Sequence, residues 1–259
     1  MGHVRIGFLP RTPQWNKIVD QLSLFDADSS IISKIANDTL SAIKQKYETM
    51  PSDDSVIKAI SFLANLSLSA KKEDQIAFLK SQGFTIDDNF STFSIISSVQ
   101  SLVATNTGSL EVNKIAKDSV MQAIINYQEK HQDNQVDLFG NTSENPLRSA
   151  GNGAAFCELA RSFFATFTDK HIKYYIERVA ASSIGNCGKL DNFITALSNQ
   201  SLAIADHAFD ISKIMQSFAA GWFNKHVNNF LPSDKEITDF LRISFGKMRE
   251  EFRREAEGK

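Results

Sequence analysis

The sequence predicts an all-α protein, and three observations carry that expectation. Helix breakers are scarce, with 12 Gly and 5 Pro in 259 residues. Apolar side chains recur at gaps of three and four along most of the chain, the spacing that lines one face of a 3.6-residue helix. Alternation with period two, the mark of a half-buried strand, is nearly confined to Val4, Ile6 and Phe8. The longest helical pattern runs from Gly151 to Ser183. It sets Phe156, Leu159, Ala160, Phe163, Phe164, Phe167, Tyr174, Tyr175 and Val179 on one broad face, with Glu158, Arg161, Asp169, Lys173 and Glu177 filling much of the other. So aromatic a face needs covering by other helices or by a partner, since burying a Phe is worth roughly 1.5–3 kcal/mol. The expected architecture is two packed helical bundles, residues 1–130 and 151–259, joined by a polar linker over 131–150.

Taken in order, the first ten residues fit a short strand or an extended arm, ended by Pro10 and Pro13. From Met1 to Val19 the chain holds Arg5, Arg11 and Lys17 and no acid, so the arm is basic. Gln14 to Phe25 reads as a helix with Trp15, Ile18, Val19 and Leu22 inward. Asp28-Ser29-Ser30 caps a helix expected to reach about Glu48, and Pro51-Ser52-Asp53-Asp54 is the next break and N-cap. Ser55–Ala70 follows, then a shorter helix over Glu73–Gln82 that stops at Gly83, a C′ glycine. Asp87 and Asp88 read as capping residues rather than as a cation site, because no second acidic cluster has ligand spacing. Phe93–Ala104 and Leu110–Lys130 are further helices.

The stretch from His131 to Ala150 is polar and rich in turn formers, long enough to be a linker or a functional loop, and its Val136, Leu138 and Phe139 suit a docking segment or a buried tether. Beyond the aromatic helix, Gly185-Asn186-Cys187-Gly188 forms a turn, and helices are expected over Lys189–Ala205 and Ala208–Val227. Ser233 and Glu236 make a capping box for a last helix from Lys235 to about Glu257. No repeat of fixed period emerges.

Chemistry is sparse. The turn Gly151-Asn152-Gly153 feeds a helix N-terminus, where free N–H groups attract anions. No strand precedes it and no Gly-Lys-Ser/Thr follows, so neither a Walker loop nor a dinucleotide fingerprint is formed. The histidines His3, His131, His171, His207 and His226 show no His-Glu-x-x-His pattern. Cys157 and Cys187 are too few for a disulfide scaffold or a cysteine zinc site, and no Gly-x-Ser-x-Gly occurs. The last helix adds a second basic concentration, Arg242, Lys247, Arg249, Arg253 and Arg254, interleaved with glutamates. No apolar run reaches the roughly 18 residues of a membrane span. The N-terminus has too short an apolar core for a signal peptide, and Ile6 stands where a myristoylation signal wants Ser or Thr. The net charge of −2 gives no global pull toward nucleic acid or lipid, and a cytoplasmic setting is expected.

The stretches VRIGFLPR, Val4 to Arg11, and FCELARSFFATFTDKHIKYYIER, Phe156 to Arg178, resemble a family of uncharacterised bacterial proteins associated with multi-gene, defence-type operons. The resemblance carries no catalytic residue and implies a bacterial accessory subunit. The sequence therefore leads to a non-enzymatic interaction subunit of a larger complex, without cofactor or metal, whose partners are operon neighbours or a second copy. Two rivals stand beside it. One is a nucleic-acid-binding module using Arg5, Arg11, Lys17 and the basic side of the last helix. The other is an enzyme assembling His171, His207 and Asp206 from distant positions.

Overall fold

The computed structural model describes residues 12–23, 29–42, 44–105, 107, 109–132, 145–211, 213–227 and 230–256. The expected strand or arm at the N-terminus, with Arg5 and Arg11, lies outside these residues, as do Val136, Leu138 and Phe139.

The protein is all-α. The helices in order are α1 (Pro13–Ser23), α2 (Ser29–Ala42), α3 (Lys44–Thr49), α4 (Asp54–Ser69), α5 (Gln75–Ser81), α6 (Thr92–Leu102) and α7 (Leu110–His131). They continue with α8 (Gly153–Ser183), α9 (Cys187–Ile211), α10 (Lys213–His226) and α11 (Asp234–Ala256). Short 3-10 turns at Met50–Ser52 and Pro146–Ser149 precede α4 and α8. No extended strand forms among the described residues.

Local chemistry explains many of the starts. Side-chain oxygens of Asp53, Asp74, Ser91, Ser109 and Asn152 accept from the first-turn N–H groups of α4, α5, α6, α7 and α8, donors that have no partner inside a helix. The capping box of α11 is present: Ser233 N–H donates to Glu236 Oε2 at 2.8 Å, and Glu236 N–H donates to Ser233 Oγ at 3.3 Å. Gly83 ends the α5 segment at φ 85°, a left-handed backbone that a side chain resists. Of the two expected capping acids, Asp87 accepts from the Ser91 N–H at 2.8 Å, whereas Asp88 pairs with Lys80 on the surface.

α8 is the centre of the molecule. At 31 residues it is roughly 46 Å long. Facing residue pairs show that α7 and α9 run antiparallel to it: Tyr174 meets Glu111, Ser162 meets Asn126, and Lys173 meets Ser198. α1, α2, α4 and α10 also pack on it. This differs from the expected single apolar face. Every residue from Phe163 to Asp169 is buried, polar Thr166, Thr168 and Asp169 included. Helices on nearly every side leave no solvent flank along this stretch, so a broad stripe becomes an encircled rod. The expected charged flank survives only toward the ends, where Glu158 and Arg161 are half-buried and Glu177 is exposed.

The aromatic side chains of α8 join a continuous ring network. Phe156 stacks on Phe223 with centroids 4.9 Å apart, and Trp222 stacks on Phe240 at 4.5 Å. Phe164 meets Phe245 edge-on at 5.2 Å, and Phe245 meets Tyr47 edge-on at 5.1 Å. Tyr47 comes from α3 and Phe245 from α11, so one hydrophobic core takes side chains from both sides of residues 131–150. The last residues of that stretch are pinned to the core: Asn145 Nδ2 donates to the Phe90 carbonyl at 2.9 Å, and Leu147 is fully buried.

The pattern expected up to Glu48 is helical over α2 and α3, and the 3-10 turn then turns the chain at Pro51, where a proline stands near the turn's start. α9 extends past Ala205 to Ile211, because nothing between Ala205 and Ile211 breaks a helix.

Truncating a ring at the centre of this network removes contacts that the surrounding helices cannot close. Phe164→Ala is expected to destabilise the protein by about 3–5 kcal/mol in denaturant titration. Phe93→Ala, at a side chain 79% exposed, is expected to stay within about 0.5 kcal/mol of wild type.

Candidate functional site

The glycine turn ahead of α8 is shaped by packing. A Cβ on Gly153 would lie 2.9 Å from the Ala220 carbonyl oxygen and 3.0 Å from Asn224 Nδ2, so the start of α8 touches α10 backbone to backbone. A Cβ on Gly151 would lie 3.1 Å from the Ala70 Cβ. Asn152 Oδ1 accepts from the Ala155 N–H at 2.9 Å, filling one of the positions at which an anion would have been held. Close helix approach thus accounts for both glycines and capping for the asparagine.

Of the three residues considered for catalysis, only His171 has a described side chain, and it lines none of the clefts described below. His171 is fully buried among rings, 5.7 Å from Tyr47, 5.9 Å from Phe167 and 5.5 Å from Tyr175 between centroids. The side chains of Asp206 and His207 lie outside those described. His131 and Lys130 both reach Glu158, at 2.9 and 2.6 Å. Burial pushes the Glu158 carboxyl up, but those hydrogen bonds outweigh it and hold the group below its ordinary range. His226 meets Glu236 at 2.8 Å, and the Ser233 N–H and hydroxyl hold Glu236 down at about 2. Asp169 is the exception to this comfort. Burial raises its carboxyl, and the Lys173 ammonium 3.1 Å away offsets only part of that. Among the described residues, no three His, Cys, Asp or Glu side chains converge as a metal site needs, and no helix is long and apolar enough to cross a membrane.

Among the described residues, three clefts stand out on the surface. Two lie along the seam of α7 and α8, with volumes near 360 and 320 Å³. Their charges are mixed and mutually paired: Lys114 meets Asp118 at 2.6 Å in one, and Glu158 is held by Lys130 in the other. The third, near 240 Å³, lies between the α3–Pro51 turn and α11. Size favours the first two; chemistry favours the third. Its walls are Tyr47, Pro51, Phe245 and Gly246, and its rim carries Arg242, Arg249 and Glu48. These arginines are seven apart and therefore share one face of α11, with Gly246 between them.

Of the basic side chains expected to act together, those of Arg242 and Arg249 line this cleft, and among the other described ones none does. Lys17 is exposed on α1, and Arg254 is exposed near the end of α11. Lys247 is half-buried, and the Arg253 side chain lies outside those described. Each cleft arginine already holds a carboxylate: Arg242 pairs with Asp239 at 2.7 Å, and Arg249 pairs with Glu48. All four side chains are at least 42% exposed, so the pairs are worth about 0–1 kcal/mol and exchange readily.

Gly246 and Tyr47 were not singled out by sequence reasoning. The available signal is a glycine inside a densely charged helix, where it costs about 1 kcal/mol relative to alanine. Nothing in the fold demands it: a Cβ there would meet no atom within 4 Å. Gly221 is equally unhindered but lines none of these three clefts.

Comparison with protein families, with characterised proteins and with solved structures gives no match. The chain's own geometry therefore carries the functional reading.

Two stability measurements follow from these sites. Gly153→Ala should cost about 1–3 kcal/mol, because the α10 backbone cannot give way, whereas Gly185→Ala, with nothing within 4 Å, should be close to neutral. Asp169 sets a pH dependence whose sign is opposite to that of a salt-bridged carboxylate. Its folded-state value is raised, so between the ordinary carboxylate value and the raised one the folded state binds more protons and stability falls as pH rises. Denaturation midpoints of wild type and Asp169→Asn, compared from neutral pH downward, should shift in favour of wild type as the pH falls through that window.

Proposed function

We propose that this chain is a non-catalytic helical interaction subunit of a larger bacterial complex, and that it meets an acidic surface of its partner through the Arg242–Gly246–Arg249 face of α11. The observation that carries the reading is the cleft itself: two arginines on one helix face above an apolar floor, held open by a glycine the fold does not require. The aromatic face of α8, expected to be covered by other helices or by a partner, is not the basis, because Phe156, Phe163, Phe164 and Phe167 are fully buried within the chain. Other polar groups support a contact role in a plainer way. His131, Lys130 and Glu158 satisfy one another, and Cys157 is buried. The cytoplasmic, defence-type setting rests on the resemblance carried by Val4–Arg11 and Phe156–Arg178. The second of these stretches is dominated by positions that the core demands.

The rival is nucleic acid. The same two arginines suit phosphates, but two cations are a small footprint for a polyanion, and neither Lys17 nor Arg254 lines this cleft with them. Co-expression with the proteins encoded beside it tests the reading. Wild type should form a stoichiometric complex, and Arg242→Glu with Arg249→Glu should lose it while melting at about the same temperature. A wild-type chain that assembles with none of them, or a double variant that assembles equally well, contradicts the reading. Binding to a short DNA duplex that weakens steeply from about 50 to 200 mM salt would put the rival in its place.

A further inference from the structure

We infer that the cleft between Tyr47 and α11 is a receptor for the C-terminal residue of a partner protein, taking an apolar last side chain into the notch and the terminal carboxylate onto Arg242 and Arg249. The inference rests on the docking reading above and names the chemical group that docks.

Three features select this occupant. The first is the division of the cleft into an apolar floor and a rim on which Arg242 and Arg249 outnumber Glu48. Tyr47 and Phe245 are 2% and 3% exposed, so the floor is the edge of the core itself. An occupant that suits both parts has an apolar body and an anionic head. A bare phosphate satisfies the rim and leaves the floor wet, and an uncharged side chain does the reverse.

The second feature is size. Near 240 Å³, the cleft falls below the roughly 300–1,000 Å³ of sites that enclose a cofactor or a drug-sized ligand. It suits one side chain. Capture of a chain end by a small pocket is a recurrent way of reading a peptide, because the terminal carboxylate sits next to the last side chain at a fixed distance.

The third feature is the chemistry of the rim. Guanidinium groups take carboxylates through paired N–H donors, and both arginines already hold one from this chain. Arg249 bridges across the cleft to Glu48 on α3. An incoming carboxylate replaces Glu48 at the same donors and gains the shelter of the floor, which an exposed pair lacks. Gly246 is the selective element. Any larger side chain at this position grows into the space where the guest side chain sits, and the helix has no other use for the vacancy.

The test is a titration of the isotope-labelled full chain with acetyl-Gly-Gly-Phe carrying a free C-terminal carboxylate, followed by the backbone signals of Phe245 and Gly246. The same peptide as its C-terminal amide, acetyl-Gly-Gly-Gly with a free carboxylate, and inorganic phosphate serve as comparisons. The free acid should shift those signals, with the amide and the all-glycine peptide weaker by at least about tenfold. Gly246→Leu should lose binding by a similar factor without a lower melting temperature, since leucine is the better helix former. Arg249→Gln should weaken the acid and leave the amide unchanged. Equal binding of acid and amide, or undiminished binding by Gly246→Leu, overturns the inference. Phosphate that displaces the peptide and binds more tightly overturns it in favour of a simple anion site. If no peptide binds while the co-expressed complex still depends on Arg242 and Arg249, the chain-end reading falls and the docking surface remains.

Discussion

The burial of α8 is the constraint from which the rest of the architecture follows. A 31-residue helix with every residue from Phe163 to Asp169 out of solvent cannot be served by one neighbouring sheet of helices; it needs a surrounding cage. α7 and α9 run antiparallel along it, and α10 closes on its first turns. α11 joins it ring to ring through Phe240 and Phe245. Because α3 enters the same network through Tyr47, the two halves of the chain share a core. The polar groups caught in this cage are handled individually. The Tyr47 hydroxyl and Thr168 Oγ1 lie 3.0 Å apart and satisfy each other, and burial holds the Tyr47 phenol in its neutral form. Asp169 is held near Lys173 at the cost of a raised carboxyl.

The cleft at Arg242 and Arg249 is a consequence of the same packing. Phe245 and Tyr47 are anchored inward and almost wholly buried, so only their outer edges reach the floor, and Gly246 puts no side chain over it. Glycine does two opposite things in this chain. At Gly151 and Gly153 the missing Cβ lets backbones touch, and the space is filled by a neighbour. At Gly246 the missing Cβ leaves space that no part of the described chain fills. The first use is about the fold. The second has no explanation in the fold, which is why the functional reading is placed there.

Helix positions were legible because each depends on residues near in sequence. The apolar spacing of Leu110–His131 and Gly153–Ser183, the Ser233–Glu236 box and the C′ glycine at Gly83 are local signals, and the structure uses them as expected. What surrounds a helix is not local. The spacing in α8 suggested one buried face, since Glu158, Lys173 and Glu177 mark a polar side. Only the arrival of α7 and α9 turns that side inward at Thr166 and Asp169. The cleft was half legible. Arg242 and Arg249 could be grouped from their shared helix, but Tyr47 and Pro51 approach from some 200 residues away and no spacing rule connects them. The glycines before α8 look the same in sequence whether they hold an anion or a neighbouring helix, and the difference lies in Ala220 and Asn224, far along the chain.

Native-state hydrogen exchange of the α8 amides addresses the central claim most directly. If α8 is the shared core of one cooperative unit, amides between residues 156 and 180 exchange only through global unfolding, with a common free energy equal to that from denaturant, and α4, α7 and α11 reach the same limit. Two separate transitions, or α8 amides that exchange through a smaller opening while α4 and α7 remain protected, would contradict it.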